Sequence, residues 1–361
     1  MDFYLAELVA PVPAWVFPAV ADLSLRVEVF DVGTDTAETA EQWAQRFTHG
    51  KFRRRHIMVA LEGSGAPGGG VPADPVPLLG IAQVNFPMVD NLTLADDALV
   101  AVDPAWRRCG IGSALASALR QLIESAGRSE VIACTSHRVP EAVPTLLPRT
   151  GHGAIPDDAH ARFASHLGFD LELVERASVL SLPVSDEILT AALAAAATSG
   201  EDYELITWRD ATPEPLLDGA AALAARMSTD APQGDLAWTP QVWDAERVRN
   251  LDADKAATGP SWTTAVRHRN SGELVGLTEI AVPRDRPSVA LQWNTIVEPA
   301  HRGHRLGTRL KAANLQAYQA EMPHPARLYT WNASENGAML AINTRLGFRP
   351  AAVEGVWQRS L

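Results

Sequence analysis

The chain repeats itself, and that repetition limits what it can fold into more than any other feature. Val102, Pro104, Arg107 and Gly112 recur as Val297, Pro299, Arg302 and Gly307, at an offset of 195 each time. Gly80-Ile81-Ala82-Gln83 through Pro87 recurs as Gly276-Leu277-Thr278-Glu279 through Pro283 at 196, and Leu167-Gly168-Phe169 recurs as Leu346-Gly347-Phe348 at 179. Loop insertions produce such a drift, so two like domains are expected. The 361 residues suffice for two cores, and 47% hydrophobic with 20% charged residues fits a compact globular chain.

At the centre of each copy an apolar run feeds a turn rich in Gly and Arg, and an amphipathic segment follows. In the first copy the run is Ala98 to Val102, and Ile111, Leu115, Leu119 and Leu122 share a helical face. In the second it is Val289 to Val297, with Leu306, Leu310, Ala313 and Ala317. Strand, tight turn, helix: free backbone N–H groups and the positive end of the helix dipole then point at whatever lies in front, which suits a pyrophosphate. Neither turn is a triphosphate loop, because no Lys-Ser or Lys-Thr follows the glycines.

These residues resemble the pyrophosphate loop of the GNAT acyl-CoA N-acyltransferase superfamily, which reads Arg or Gln, two residues, Gly, one residue, Gly or Ala, with a Gly-Phe after the next helix. Arg107, Gly110 and Gly112 fit fully; in the second copy Arg305 stands where the first signature glycine belongs, with Gly303 nearby. The overall likeness is to tandem GNAT proteins of the mycothiol-synthase type. It implies an α/β fold of two GNAT domains, each a mixed, largely antiparallel twisted sheet flanked by helices. It implies acetyl-CoA as cofactor and a small-molecule amine as partner, acetylated by direct transfer. Residues 1–183 are expected to form an N-terminal domain that binds acetyl-CoA without catalysis, 184–200 a linker helix, and 201–361 the catalytic domain.

The resemblance assigns Thr295, Ile296 and Val297 to the pantetheine arm, and Arg302, Gly303, His304, Arg305, Leu306, Gly307 and Thr308 to the diphosphate, with Asn332 and Asn336 close by. The corresponding first-copy set is Val100, Ala101 and Val102, then Arg107, Arg108, Cys109, Gly110, Ile111, Gly112 and Ser113. The proton acceptor separates the copies: Glu279 on an alternating strand corresponds to Gln83, and an amide is no base at neutral pH. Many members place a Tyr five residues before the Phe of Gly-Phe; here Asn343 and Ala164 occupy those positions, so Asn343 or Tyr329 is the candidate donor to the leaving thiolate. The C-terminal carboxylate of Leu361 is a further candidate base. Without turnover the same residues would make an acyl-CoA sensor or scaffold, and protein-lysine acetylation is a third alternative.

Composition narrows the partners. Lys plus Arg is 31 against Asp plus Glu at 43, and a net charge of −12 argues against nucleic acid. Only Cys109 and Cys134 occur, without a Cys-x-x-Cys pair, which fits a cytoplasmic protein without a cysteine-built metal site. No apolar run reaches membrane-spanning length and the N-terminus lacks a basic signal start, so no membrane partner is expected. A monomer or homodimer is expected. His137, His152 and His160 fall in a Pro-rich stretch whose spacings match no metal-ligand pair, so it reads as a surface loop. Residues 1–22 read as an extended lead-in, Leu23 to Val32 as β-rich, and Lys51 to His56 as a basic cluster within reach of a coenzyme phosphate or a solvated edge. Trp238 and Trp243 are candidate pocket or core aromatics.

Overall fold

The computed structural model describes residues 2–48, 50–65, 70–197, 202–322, 324 and 326–361. The C-terminal end of the expected linker, Ser199-Gly200, and part of the Gly- and Pro-rich loop from Gly63 to Val76 lie outside the described residues. The chain forms two compact units, residues 1–175 with 234–238 and 352–361, and residues 176–233 with 239–351. The boundaries expected from sequence therefore shift: the first unit ends at Glu175, and Ala352–Leu361 join it from the far end of the chain.

The first unit runs β1 (Phe3–Glu7), α1 (Val16–Asp31), α2 (Ala40–Thr48), β2 (Arg53–Glu62), β3 (Leu78–Pro87), β4 (Leu94–Val102), α3 (Ile111–Ser125), β5 (Glu130–His137), the two-residue strands β6 (Thr145–Leu146) and β7 (Ile155–Pro156), and α4 (Ala159–His166). The strand β8 (Asp170–Leu182) begins in it. Its sheet has the order β1-β2-β3-β4-β5, closed by the last strand of the chain, β14 (Arg349–Ser360), antiparallel to β5 from Val353↔His137 to Ser360↔Glu130. Two sequence expectations give way here. The lead-in contains β1, and Leu23 to Val32 lies largely in α1, because the longer window puts Val16, Val20, Leu23 and Val27 at helical spacing against β2 and β3.

The second unit takes the rest of β8, then α5 (Asp186–Ala197), β9 (Tyr203–Arg209), α6 (Leu217–Asp230), α7 (Ala245–Thr258), β10 (Ser261–His268), β11 (Leu274–Ala281), β12 (Val289–Val297), α8 (Leu306–Glu321), β13 (Ala326–Ala333) and α9 (Gly337–Arg345). Its strand order is β8-β13-β12-β11-β10-β9. The expected linker helix is a core element: Leu189 of α5 is buried with Leu315 and Tyr318 of α8, and Val184 exchanges two hydrogen bonds with the Gln319 amide. No described helix is long and apolar enough to cross a membrane.

The sheets repeat one irregularity. β4 pairs in parallel with β5 only as far as Ala98↔Ala133, and β12 with β13 only as far as Leu291↔Tyr329. Each leading strand carries a bulge on its other edge with a left-handed residue nearby, Asp97 at φ 52° and Asn294 at φ 41°. Past those points the two strands part, and each sheet opens into a fork. The strand before each fork is pressed close at matching positions. A Cβ on Gly80 would stand 2.9 Å from the Ala101 carbonyl oxygen, and one on Gly276 would stand 2.7 Å from that of Ile296.

Candidate active site

In the second unit β12 is paired to β11 through Gly276↔Val297 and Leu277↔Ile296, so beyond Leu291 only its other edge is open to a new partner. Thr295, Ile296 and Val297 lie on that stretch and lead into the loop. There the Arg302 Nε–H donates to the Val297 carbonyl at 3.0 Å, as the Arg107 Nε–H donates to Val102 at 3.1 Å in the first unit. The signature arginine thus turns the chain at the strand end in both copies.

Gly303 at φ 86° and Arg305 at φ 55° are left-handed, and their counterparts Arg108 and Gly110 are left-handed at φ 63° and 85°. Glycine and arginine have exchanged places between the copies while the backbone path is kept. Arg305 therefore serves as the helix-preceding residue that Gly110 provides upstream, at the steric cost of about 1–2 kcal/mol that a Cβ carries there. Neither α3 nor α8 has a side-chain cap at its N-terminus, which leaves the first amides, Ile111 to Ser113 and Leu306 and Gly307, at the loop, while the Thr308 amide donates to the Arg305 carbonyl at 3.1 Å. The Gly307 Cα faces α9: a Cβ there would stand 3.0 Å from Ile342 Cδ1, so close helix packing explains this glycine.

Alternation along the strands divides the remaining residues between two faces. On the face covered by α7, Glu279 is buried; its Oε2 accepts from Lys255 Nζ at 2.5 Å and from the Thr263 hydroxyl at 3.4 Å. Lys255 also pairs with Asp252 at 3.1 Å. Burial pushes the Lys255 ammonium down, but the charges of Glu279 and Asp252 outweigh it and hold its pKa above the ordinary value. Two carboxylates share one ammonium, so the cluster carries one net negative charge. Directly across from Glu279 stands Trp293, whose ring stacks on Trp331 at 5.9 Å and 14°.

Tyr329 is corrected by the same alternation. It sits on the Trp331 face, 4% exposed among Val289, Leu291 and Ala351, and is not beside Asn343. Asn343 lies on the α8 face, where its amide donates to Asn332 Oδ1 at 2.7 Å and its oxygen accepts from Lys311 Nζ at 2.7 Å. Asn336 is committed to its own helix, accepting from the Met339 amide as the α9 cap. Leu361 donates its backbone N–H to the Ser129 carbonyl at 2.9 Å, at the β5 end of the first unit, to which it belongs.

The first unit carries a different set. Arg107 forms two hydrogen bonds to Asp31, at 2.7 and 2.6 Å, and His160 stands 3.6 Å from the same carboxylate. Burial pushes Asp31 up, yet its bonds to His160 and Arg107 and their charges prevail and hold it at about 2. Val100, Ala101 and Val102 line the open edge of β4, Cys109 is exposed in the loop, and Gln83 donates to Asp97 at 3.1 Å. Within the basic cluster Arg53 pairs with Asp96, and Arg55 with Glu38. His137 is buried between Thr135 and Asp158, both at 2.7 Å, and no metal-holding group occurs among the described residues. Trp243 packs on α6 and bonds Gln241, while Trp238 belongs to the first unit.

Sequence reasoning missed Lys311, Lys255 with Asp252, and the Trp293–Trp331 pair. The buried residues of α8 are Leu306, Gly307, Leu310, Lys311, Ala312, Asn314, Leu315 and Tyr318, which include a lysine and leave out Ala313 and Ala317.

No family model matches the chain. It is 28% identical over 261 residues to a mycothiol acetyltransferase of Sanguibacter keddieii, covering 71% of this chain and 72% of that one. Among solved structures it superposes on a tandem GNAT protein from the clavulanic acid biosynthesis pathway with a TM-score of 0.76 at 23% identity, over 99% of this chain and 98% of the other. A GCN5-related N-acetyltransferase from Sphaerobacter thermophilus matches with a TM-score of 0.61 at 15% identity, over 99% and 95%. With its duplicated strand, loop and helix and its two forked sheets, the chain is a tandem protein of the GNAT fold.

Proposed function

We propose that this chain is an N-acetyltransferase that moves an acetyl group from acetyl-CoA directly to the primary amine of a small molecule, and that the second unit performs the transfer. The observation that carries this reading is the open edge of β12 past Leu291, running into a left-handed loop at an uncapped helix start. Main-chain groups of Thr295, Ile296 and Val297 would hold the pantetheine arm in the manner of an added strand. The loop amides from Gly303 to Gly307 would hold the diphosphate, those of Arg302 and Thr308 being bonded to the Pro299 and Arg305 carbonyls. Bound there, acetyl-CoA supplies the acyl group as an activated thioester.

The residues of the chain supply the rest. The net negative cluster of Asp252, Lys255 and Glu279 attracts an ammonium, and Glu279 accepts its proton, directly or through water, leaving the amine nucleophilic. The stacked Trp293 and Trp331 offer an apolar wall for the body of the acceptor on the same face. Similarity to a mycothiol acetyltransferase supports a small-molecule acceptor. The first unit, with Gln83 in place of Glu279 and its loop arginine held by Asp31, suits coenzyme binding without turnover.

The test is thiol release from acetyl-CoA across a panel of small primary amines, with the mass of the product measured. Acetylated amine formed in step with free thiol supports the reading. Coenzyme binding with no thiol release by any amine converts it to that of a sensor.

A further inference from the structure

A lysine without a carboxylate partner lies inside the second unit. Lys311 is fully buried, and its Nζ meets only the Gln292 amide oxygen at 3.1 Å, the Asn343 amide oxygen at 2.7 Å and the Phe348 ring at 5.2 Å. Its three donors are met by two carbonyl oxygens and a π face, with no ion pair among the described residues. Burial alone lowers its pKa to about 7. The acids of this unit's site, Glu279 and Asp252, belong to the opposite face of the sheet, and Gln292, Asn343 and Phe348 are the groups that α8 presents Lys311 to. An unpaired buried cation is costly, and packing alone does not require one.

Its effect is directional. An ammonium has donors and no acceptor, so both amides must turn their oxygens toward it. Asn343 then directs its NH2 to Asn332 Oδ1 at 2.7 Å, which leaves the Asn332 NH2 as the end of that chain, on β13 three residues past the last pair with β12. Gln292 directs its NH2 to the Thr278 hydroxyl at 3.2 Å; Thr278 and Thr295 share a hydrogen bond at 2.7 Å that either hydroxyl can donate, and with Thr278 as donor the Thr295 hydroxyl proton is the end of the second chain, on β12. Both lips of the fork thus terminate in donors. In the first copy the matching positions are Ala116 for Lys311, Ala164 for Asn343, Ala82 for Thr278 and Val100 for Thr295, so these members are lost together.

We propose that Lys311 is a positioning residue that polarises two hydrogen-bond chains, Lys311–Asn343–Asn332 and Lys311–Gln292–Thr278–Thr295, so that the fork of the second unit stabilises an anionic sulfur. This deepens the acetyl-transfer reading and rests on it. As the amine nitrogen bonds to the acetyl carbon, the carbon–sulfur bond breaks and its electron pair stays on sulfur. The donors at Asn332 and Thr295 receive that charge, and the amine's proton goes to Glu279.

The experiment is a titration of the coenzyme A thiol in its complex with the whole chain, followed by thiolate absorbance, alongside binding of desulfo-coenzyme A. The wild type is expected to lower the thiol pKa relative to Lys311→Met by about one unit, a tenfold change in acid constant. Affinity for the desulfo compound should be the same in both. Gln292→Glu provides a second variant of nearly unchanged shape: it neutralises the lysine in place, so the thiol pKa should rise and kcat fall about tenfold while KM for acetyl-CoA holds. A purely structural lysine would be indifferent to that change or stabilised by it. Equal thiol pKa values in the wild type and Gln292→Glu overturn the proposal. Failure of coenzyme A to bind the wild type overturns instead the acetyl-transfer reading beneath it.

Discussion

The two units share a backbone and differ in where they keep their charges. At the loop the first unit spends its signature arginine on Asp31 with two short bonds, whereas Arg302 meets Asp230 only at 3.3 Å. At the fork the first unit fills its polar sites from within, Gln83 and Asn85 both donating to Asp97, while the second keeps a carboxylate on one face and a buried ammonium on the other. Duplication preserves what the backbone needs, namely the bulge, the left-handed pair and the tight glycine. Side chains that carry net charge into the fork are free to diverge, and the proposed function gives acyl transfer to the copy that keeps them.

The comparison breaks first at Glu279. Glu279→Gln is expected to lower kcat about 100-fold in the amine assay, the lower range for losing a general base. Gln83→Ala should leave it within about twofold, and equal losses would end the division of labour. Next come the paired glycines: Gly80→Ala and Gly276→Ala each force a Cβ onto a carbonyl oxygen, so chemical denaturation should show each losing about 2–3 kcal/mol. A large difference between them would mean that the two forks are not built alike.

Smaller effects sharpen the picture of the loop. Gly110→Arg should cost about 1–2 kcal/mol, since it places a Cβ at a left-handed position, and Arg305→Gly should change stability by less than about 1 kcal/mol while weakening coenzyme binding. An effect of similar size is an acid limb in the first unit. Asp31 is held at about 2 against an ordinary 3.8, so its contribution is complete above pH 3.8 and is lost as pH falls toward 2. Discounted for partial solvent screening it amounts to about 1 kcal/mol, and Asp31→Asn should flatten that limb in an acid titration of stability.

Much of this architecture was legible because repetition is a long-range signal. Matching residues 195 apart located both loops and the strands and helices beside them without knowledge of any contact. Two things were hidden. The Leu23 to Val32 stretch alternates locally and reads as a strand, and only the apolar residues before it reveal the helical period of α1. The charged network depends on which strand faces which helix: Lys255 and Glu279 are 24 residues apart, and Lys311 and Asn343 are 32 apart, so no window on the sequence joins them. Tyr329 failed as a donor for the same reason, since one step along β13 decides the face.

The strand that ends the chain has a consequence for how the protein is made. Residues 352–361 complete the sheet of the first unit, so a nascent chain that has emerged only through residue 175 still lacks the strand that pairs with β5. Until residues 352–361 are translated, β5 exposes an unsatisfied edge, which invites pairing with a neighbouring nascent chain. Synthesis order thus leaves the first unit unfinished until residues 352–361 have followed residues 176–351.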